Sequence, residues 1–413
     1  MSFYKSLDQL AELAVKVGAN VQKGQTVVLR SNTESRVLAR KIVEKAYEQG
    51  AKKVIVDWSD EQVSRQAYLN MDDETLQEVP EYSVNRAKYY VDNNACFINI
   101  TSPMPGLFKD VDSNKVQLAS RAAQQKMGFL REYTMGNQGQ WTIVGAANKV
   151  WAKKVFPEMR QKDAINALWK AIFDATRIDP EKDIQKVWNE HNSNLRKYST
   201  LLNKYNFKTL HFKNSLGTDL TIGLVEDHIW VAGGETAANG VYFNPNLPTE
   251  EAFTMPHKFM TEGKVVATKP LHYNGKLIED FWLRFEKGKV VEFDAAKEKE
   301  ALASIINFDE NASYIGEIAL ISHDSPISNS NVLFYNTLFD ENASCHIALG
   351  RAYPMNIKGG IGAPIEDLEK KGYNNSLTHV DFMFGSSDLE IVGITQDGKE
   401  VQVFKKGNFV ITE

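Results

Sequence analysis

Apolar side chains recur every three to four positions across residues 5–18 and through "ESRVLARKIVEKAYEQG" (34–50), and each run predicts an amphipathic helix, the second closed by Gly50. Short runs rich in β-branched residues, "GQTVVLRS" (24–31) and "AKKVIVDWSD" (51–60), predict buried strands between them. The alternation continues through "ACFINITS" (95–102), a helix near 113–132, "QWTIVGA" (140–146) and helices near 163–176 and 183–205. Strands that alternate with helices are joined by crossovers and so pair in parallel, which predicts an α/β amino-terminal domain, a parallel sheet layered with helices.

From about residue 207 the pattern shortens to period two. "KTLHFKNSLGTDLTIGL" (208–224) reads as a hairpin about Gly217, and "GKVVATKPLHYNGKLIEDFWLRFEKGKVVEFDA" (263–295) as a meander turning at Asn274-Gly275 and Gly288. The last stretch (380–413) continues it, with a turn at Asp397-Gly398. An α+β, mostly antiparallel, β-rich carboxy-terminal domain is expected, with the division placed after the charged helix that ends near 205, giving domains 1–205 and 206–413.

Composition narrows the classes. A chain of 413 residues exceeds one ordinary core, and a net charge of −5 offers no electrostatic footprint for nucleic acid. No apolar run approaches the roughly 20 residues that span a bilayer, and the amino terminus has no secretory-signal core, so no membrane association is expected. The two cysteines, Cys96 and Cys345, are far apart and suggest neither a disulfide framework nor a thiolate metal site; a cytoplasmic location fits. The α/β half lacks both G-x-G-x-x-G and G-x-x-x-x-G-K-[ST], so no nucleotide cofactor is expected there.

All eight histidines, at 191, 211, 228, 257, 272, 323, 346 and 379, lie in the second half of the chemistry-bearing pattern, after residue 190. Four stretches there carry ligand-type groups: Glu250-Glu251 after Pro248; Glu317 inside the apolar run "YIGEIALIS"; Glu341, His346 and Tyr353 in one segment; and His379 and Asp381, two apart in a strand pattern and so on one face. A carboxylate inside an apolar strand costs several kcal/mol, roughly, unless a cation or donors compensate, so something must face Glu317. A glutamate pair after a proline ordinarily opens a helix, where the macrodipole favours it. Taken together, three or four carboxylates and two imidazoles without suitable thiolates form the ligand set of a binuclear centre for Zn, Co, Mn or Mg. Six candidates exceed the needs of one ion and suggest two, sharing a carboxylate and an activated water.

The stretches "NLPTEEAF", "GEIAL", "LFDENASCHIALGRAY" and "THVDFM" resemble the thermophilic aminopeptidase T, aminopeptidase S and aminopeptidase PepS family of metalloaminopeptidases, and the layout is similar from end to end. The resemblance implies an exopeptidase that releases amino-terminal residues from small peptides, with two divalent ions in the carboxy-terminal domain. It also implies a homodimer with a largely enclosed cavity, to which the first domain contributes. Carried over position by position, the metal ligands are Glu251 (preferred over Glu250 on the family's spacing), Glu317, Glu341, His346, His379 and Asp381. Glu317 is the expected bridging ligand, Tyr353 a donor to the developing oxyanion, and the other member of the Glu250-Glu251 pair a candidate proton carrier. Two rivals remain at this stage: another binuclear metallohydrolase, such as a dipeptidase or amidase, and a non-enzymatic binding protein.

Overall fold

The computed structural model describes residues 3–273 and 276–412, so the turn expected at Asn274-Gly275 lies outside the described residues. The chain forms two compact units, Met1–Asn189 with Gly234–Pro248, and Glu190–Gly233 with Thr249–Glu413.

In the first unit, strands Thr26–Asn32, Lys53–Ser59, Cys96–Thr101 and Trp141–Gly145 pair in parallel, in the spatial order 141–145, 96–101, 26–32, 53–59. A fifth short strand, Asn246–Leu247, joins the edge beside Trp141–Gly145, so residues far along the chain complete this sheet. Helices follow the strands as the alternation predicts, with two departures. The helix expected near 113–132 is two helices, Ser113–Lys126 and Gly128–Met135, separated at Met127. Helices Glu61–Asn70, Asp73–Leu76, Glu81–Asp92 and Lys149–Val155 lie outside the sequence reading, although the first and last begin at readable caps: Asp60 accepts from Gln62 N–H, and Asn148 from Trp151 N–H. The carboxyl ends of the strands, where such sheets ordinarily bind ligands, are tied by amides: Asn32 and Asn148 both donate to the Ser102 carbonyl.

The second unit is built from antiparallel strands. One five-stranded sheet runs in the order His379–Met383, His346–Gly350, Ile315–Leu320, Ala252–Thr254, Val231–Ala232. A nine-stranded sheet contains the hairpin Phe207–Lys213 with Asp219–Leu224, the long strands Pro256–Val266, Lys276–Glu286 and Lys289–Lys297, and the final hairpin about Gly398. The two sheets share one apolar core. Ile318, Leu320, Ile347, Leu349, Val380 and Phe382 of the five-stranded sheet pack with Phe281, Leu283, Phe212 and Ile391 of the larger one. Phe281 meets Phe382 with ring centroids 5.2 Å apart. This burial fixes which face of the five-stranded sheet is apolar; the other face carries the candidate site.

Candidate metal centre

Three adjacent strands aim ligand-type groups at one surface. Along Cys345–Leu349 the odd positions enter the core, which turns His346 and Ala348 to the opposite face. On the neighbouring strand Val380 and Phe382 enter the core, which turns His379 and Asp381 the same way. Glu317 arrives there by a different route. The pairing shifts between Ile315 and Glu317, with Ile315 opposite Leu349 but Glu317 opposite Ala348, one step instead of two. This β-bulge at Gly316 lets Ile315 join the core while Glu317, two residues later, faces away from it. Only glycine fits at the bulge, since a Cβ on Gly316 would lie 2.3 Å from the Gly350 carbonyl oxygen. Glu317, Ala348 and Asp381 then stand in line across three strands. The alanine methyl between the two carboxylates leaves them space that a longer side chain would fill.

The fourth contribution comes from 249–251. The Glu250-Glu251 pair opens no helix; it leads into the strand Ala252–Thr254, whose Ala252 is in the core and whose Phe253 faces the site side. The register of the pair follows. Glu251 Oε2 lies 3.4 Å from His346 Nε2, whereas Glu250 Oε2 lies 4.0 Å from His191 Nε2.

Glu317 stands at the centre of the group. Its Oε1 is 3.5 Å from His346 Nε2 and its Oε2 is 3.5 Å from His379 Nε2, while His379 Nε2 is 3.3 Å from Asp381 Oδ1. Two overlapping triads result, Glu251–Glu317–His346 and Glu317–His379–Asp381, each with ligand atoms within 4.8 Å of one another. Glu341 belongs to neither triad, but its buried carboxyl is held well above the usual range by desolvation and by the charges of Asp381 and Glu251. Tyr353 Oη lies 3.4 Å from His379 Nε2, and burial together with Glu317 and Asp381 raises the phenol well above its ordinary pKa.

These donors fit divalent cations. Both imidazoles are oriented by carbonyls: His346 Nδ1–H donates to Glu341 O at 2.9 Å and His379 Nδ1–H to Arg351 O at 2.6 Å. That pattern fixes the tautomer that presents an Nε2 lone pair, the usual outer support of a metal-bound histidine. Both Nε2 atoms face carboxylate oxygens, which is repulsive unless a proton or a cation stands between. Among the described residues neither Glu317 nor Asp381 has a Lys or Arg partner; their ion-pair neighbours are His346 and His379. Among the described residues Asp381 Oδ1 is buried without a hydrogen-bond partner, although His379 Nε2 lies 3.3 Å away. Four carboxylates against two imidazoles leave an excess of negative charge in a buried place, and N and O donors without sulfur suit Zn, Co, Mn or Mg.

Without metal, protons must do this work. Burial alone would depress His346, but Glu317, Glu251 and Asp381 outweigh it and hold the imidazole up to about 10. His379 is likewise desolvated, yet Asp381 and Glu317 raise it to about 9. Folded pKa values above the free value of 6.5 mean that the folded state binds the extra protons. Their stabilisation is complete below the free value and is lost as pH rises through about 9 and 10; the raised Glu341 carboxyl acts in the same direction. The melting temperature of chelator-treated protein is therefore expected to fall between neutral and strongly alkaline pH, with a shallower slope once divalent ions are restored. A flat profile in the chelated protein would contradict this electrostatic account.

Several supporting residues carry no sequence signal of their own. Asp340 accepts from Phe334 N–H at 2.7 Å and Asn336 N–H at 3.0 Å, which shapes the turn before Glu341. Asn342 and His191 bind the backbone beside Glu251. Only the folded chain shows what they touch.

Comparison with known proteins places these observations. The family model described as thermophilic metalloprotease (M29) matches residues 3–409. Aminopeptidase AmpS of Bacillus subtilis is 45% identical over 99% of both chains, and aminopeptidase 2 of Geobacillus stearothermophilus is 44% identical over 98% of both. The solved structure of wild-type AmpT from Thermus thermophilus superposes with a TM-score of 0.92 at 37% identity, covering 99% of this chain and 100% of that one.

Proposed function

Because the chain belongs to the thermophilic metalloprotease family (M29), we propose that it is an aminopeptidase whose carboxy-terminal β-rich part holds two divalent ions and removes amino-terminal residues from peptides. The observation that carries this reading is the central carboxylate, with Glu317 Oε1 and Oε2 each 3.5 Å from a different histidine Nε2. In this reading Glu251, Glu317 and His346 would hold one ion and Glu317, His379 and Asp381 the other, with Glu341 completing the shells. Zn, Co, Mn and Mg all suit the donors.

Divalent ions in such a pair acidify water toward neutral pH and polarise a peptide carbonyl. The chain's own groups supply the rest. His346 and His379 are kept in the productive tautomer by the carbonyls of Glu341 and Arg351, so neither spends its lone pair elsewhere. Tyr353, with its hydroxyl beside His379, is placed to donate to the oxygen that gains charge as the peptide carbonyl becomes tetrahedral; one such donor contributes about 3 to 4 kcal/mol. Its raised pKa keeps that proton in place across the working range. Phe253, Ile321 and Met355 pack with Tyr353 and form a dry apolar border to the site that limits access of bulk water.

The assembly we favour is the homodimer implied by the family resemblance, with the chemistry carried by residues 206–413. The two cysteines are free and buried, which suits a reducing cytoplasm. Among the described residues no helix is long and apolar enough to cross a membrane.

Elemental analysis of protein equilibrated with each metal tests the reading. Two ions per chain are expected, with peptide hydrolysis lost on chelation and recovered on refilling. Saturation at one ion with full activity would remove the shared-carboxylate assignment.

A further inference from the structure

We propose that Asn342 and His191 are positioning residues of the metal centre that clamp the single peptide group joining Thr249 to Glu250, and thereby hold Glu251 in register with Glu341 and His346. The inference rests on the metal-centre reading above. Both ends of that peptide group are engaged. His191 Nε2–H donates to the Thr249 carbonyl at 2.8 Å, and Glu250 N–H donates to Asn342 Oδ1 at 2.7 Å. Asn342 is fully buried, and its Nδ2 donates to Leu338 O at 2.9 Å.

The need for a clamp is local. Residues 249–251 precede the strand Ala252–Thr254, so the strand pairing of 252–254 does not reach the peptide that leads into the Glu250-Glu251 pair. Glu251 has three side-chain rotors, and its approach to His346 is reproducible only if the backbone is fixed first.

The partner chosen for that task also bears on the opposite ligands. Asn342 follows Glu341 in the same turn, Glu341–Ala343, and the Glu341 carbonyl accepts the His346 Nδ1–H at 2.9 Å. The far nitrogen of that ring faces Glu251 Oε2 at 3.4 Å. The path from Glu251 through the clamped peptide, Asn342, Glu341 and His346 returns to Glu251, a closed circuit in which moving one ligand disturbs the others. A neutral amide suits the place: it offers an acceptor to Glu250 N–H without adding a charge to a cluster already rich in carboxylates.

The test is a metal affinity, measured by chelator competition, set beside the melting temperature of the metal-free protein. Asn342→Ala should raise the metal Kd by about 10- to 100-fold, the range for outer-shell supports. Asn203→Ala is the control. Although the residue itself is exposed, its amide likewise accepts from one backbone N–H and donates to one carbonyl, both of Trp230, which is not a ligand. The control should lower the metal-free melting temperature while leaving Kd unchanged. If Asn342→Ala gives no folded protein, His191→Phe, which keeps a ring but frees the other end of the same peptide, is read by the same two measurements. An unchanged Kd in the folded variant, or an equal rise in Asn203→Ala, overturns the proposal. Wild-type protein that binds no stoichiometric divalent ion would instead overturn the metal-centre reading itself.

Discussion

Glu317→Gln is expected to lose metal and peptide hydrolysis together while keeping its fold. Glu317 is 5% exposed on a strand whose six residues are all buried, and its two oxygens face two different histidines. Glutamine preserves the shape but offers an amide N–H where a cation needs an oxygen, and both halves of the centre share this one residue. Loss of activity should exceed the roughly 100-fold upper range for outer-shell supports. Metal retention separates this from a purely structural role. In the metal-free protein Glu317 faces the protonated imidazoles of His346 and His379, so the metal-free variant should melt lower than metal-free wild type near neutral pH in either case. If Glu317 were only a stabilising ion-pair partner, the variant would melt lower and keep its metal. Metal content after dialysis and rates on a free peptide decide between the two outcomes.

Blocking the substrate's amino group is expected to have an effect of similar size. A neutral α-amine has a lone pair that could ligate a divalent ion held by the candidate centre, and an N-acetyl amide has none to give. Sites built around a polar substrate group reject analogues lacking it by roughly 10⁴-fold. A peptide and its N-acetylated copy, compared by kcat/KM on the same preparation, should differ on that scale. Equal cleavage would mean an endopeptidase or amidase, and rapid cleavage of dipeptides alone would favour a dipeptidase.

Much of this was legible in the chain because local pattern and fold agree. Alternating helical and strand periods specify the layered parallel sheet, since a strand-helix-strand path can close only by crossover. His379 and Asp381 share a face because they are two apart in a strand, and the core positions Val380 and Phe382 enforce it. Glu317 was conspicuous for the opposite reason: a carboxylate within an apolar run demands a partner, and the run itself says that the partner lies inside.

Other features needed the tertiary structure. Period-two reading puts Ile315 and Glu317 on the same face, and only the shifted register at Gly316 sends one into the core and the other to the site. The pair Glu250-Glu251 could have opened a helix; pairing of Ala252–Thr254 with Ile315–Leu320 made it the entry to a strand and gave Glu251 to His346 and Glu250 to His191. Segment 234–248 rejoins the first unit after the second has begun, through a two-residue strand too short to carry a periodic signal.

The sequence by itself thus determined most element types and the two layered architectures, because each depends on neighbours within a few positions. It could not determine which backbone groups His191 and Asn342 would hold. The partner of His191 lies 58 residues away, and the Glu250 amide that binds Asn342 lies 92 away. Hydrogen bonds across such separations leave no periodic trace along the chain, and they exist only once packing has brought the segments together.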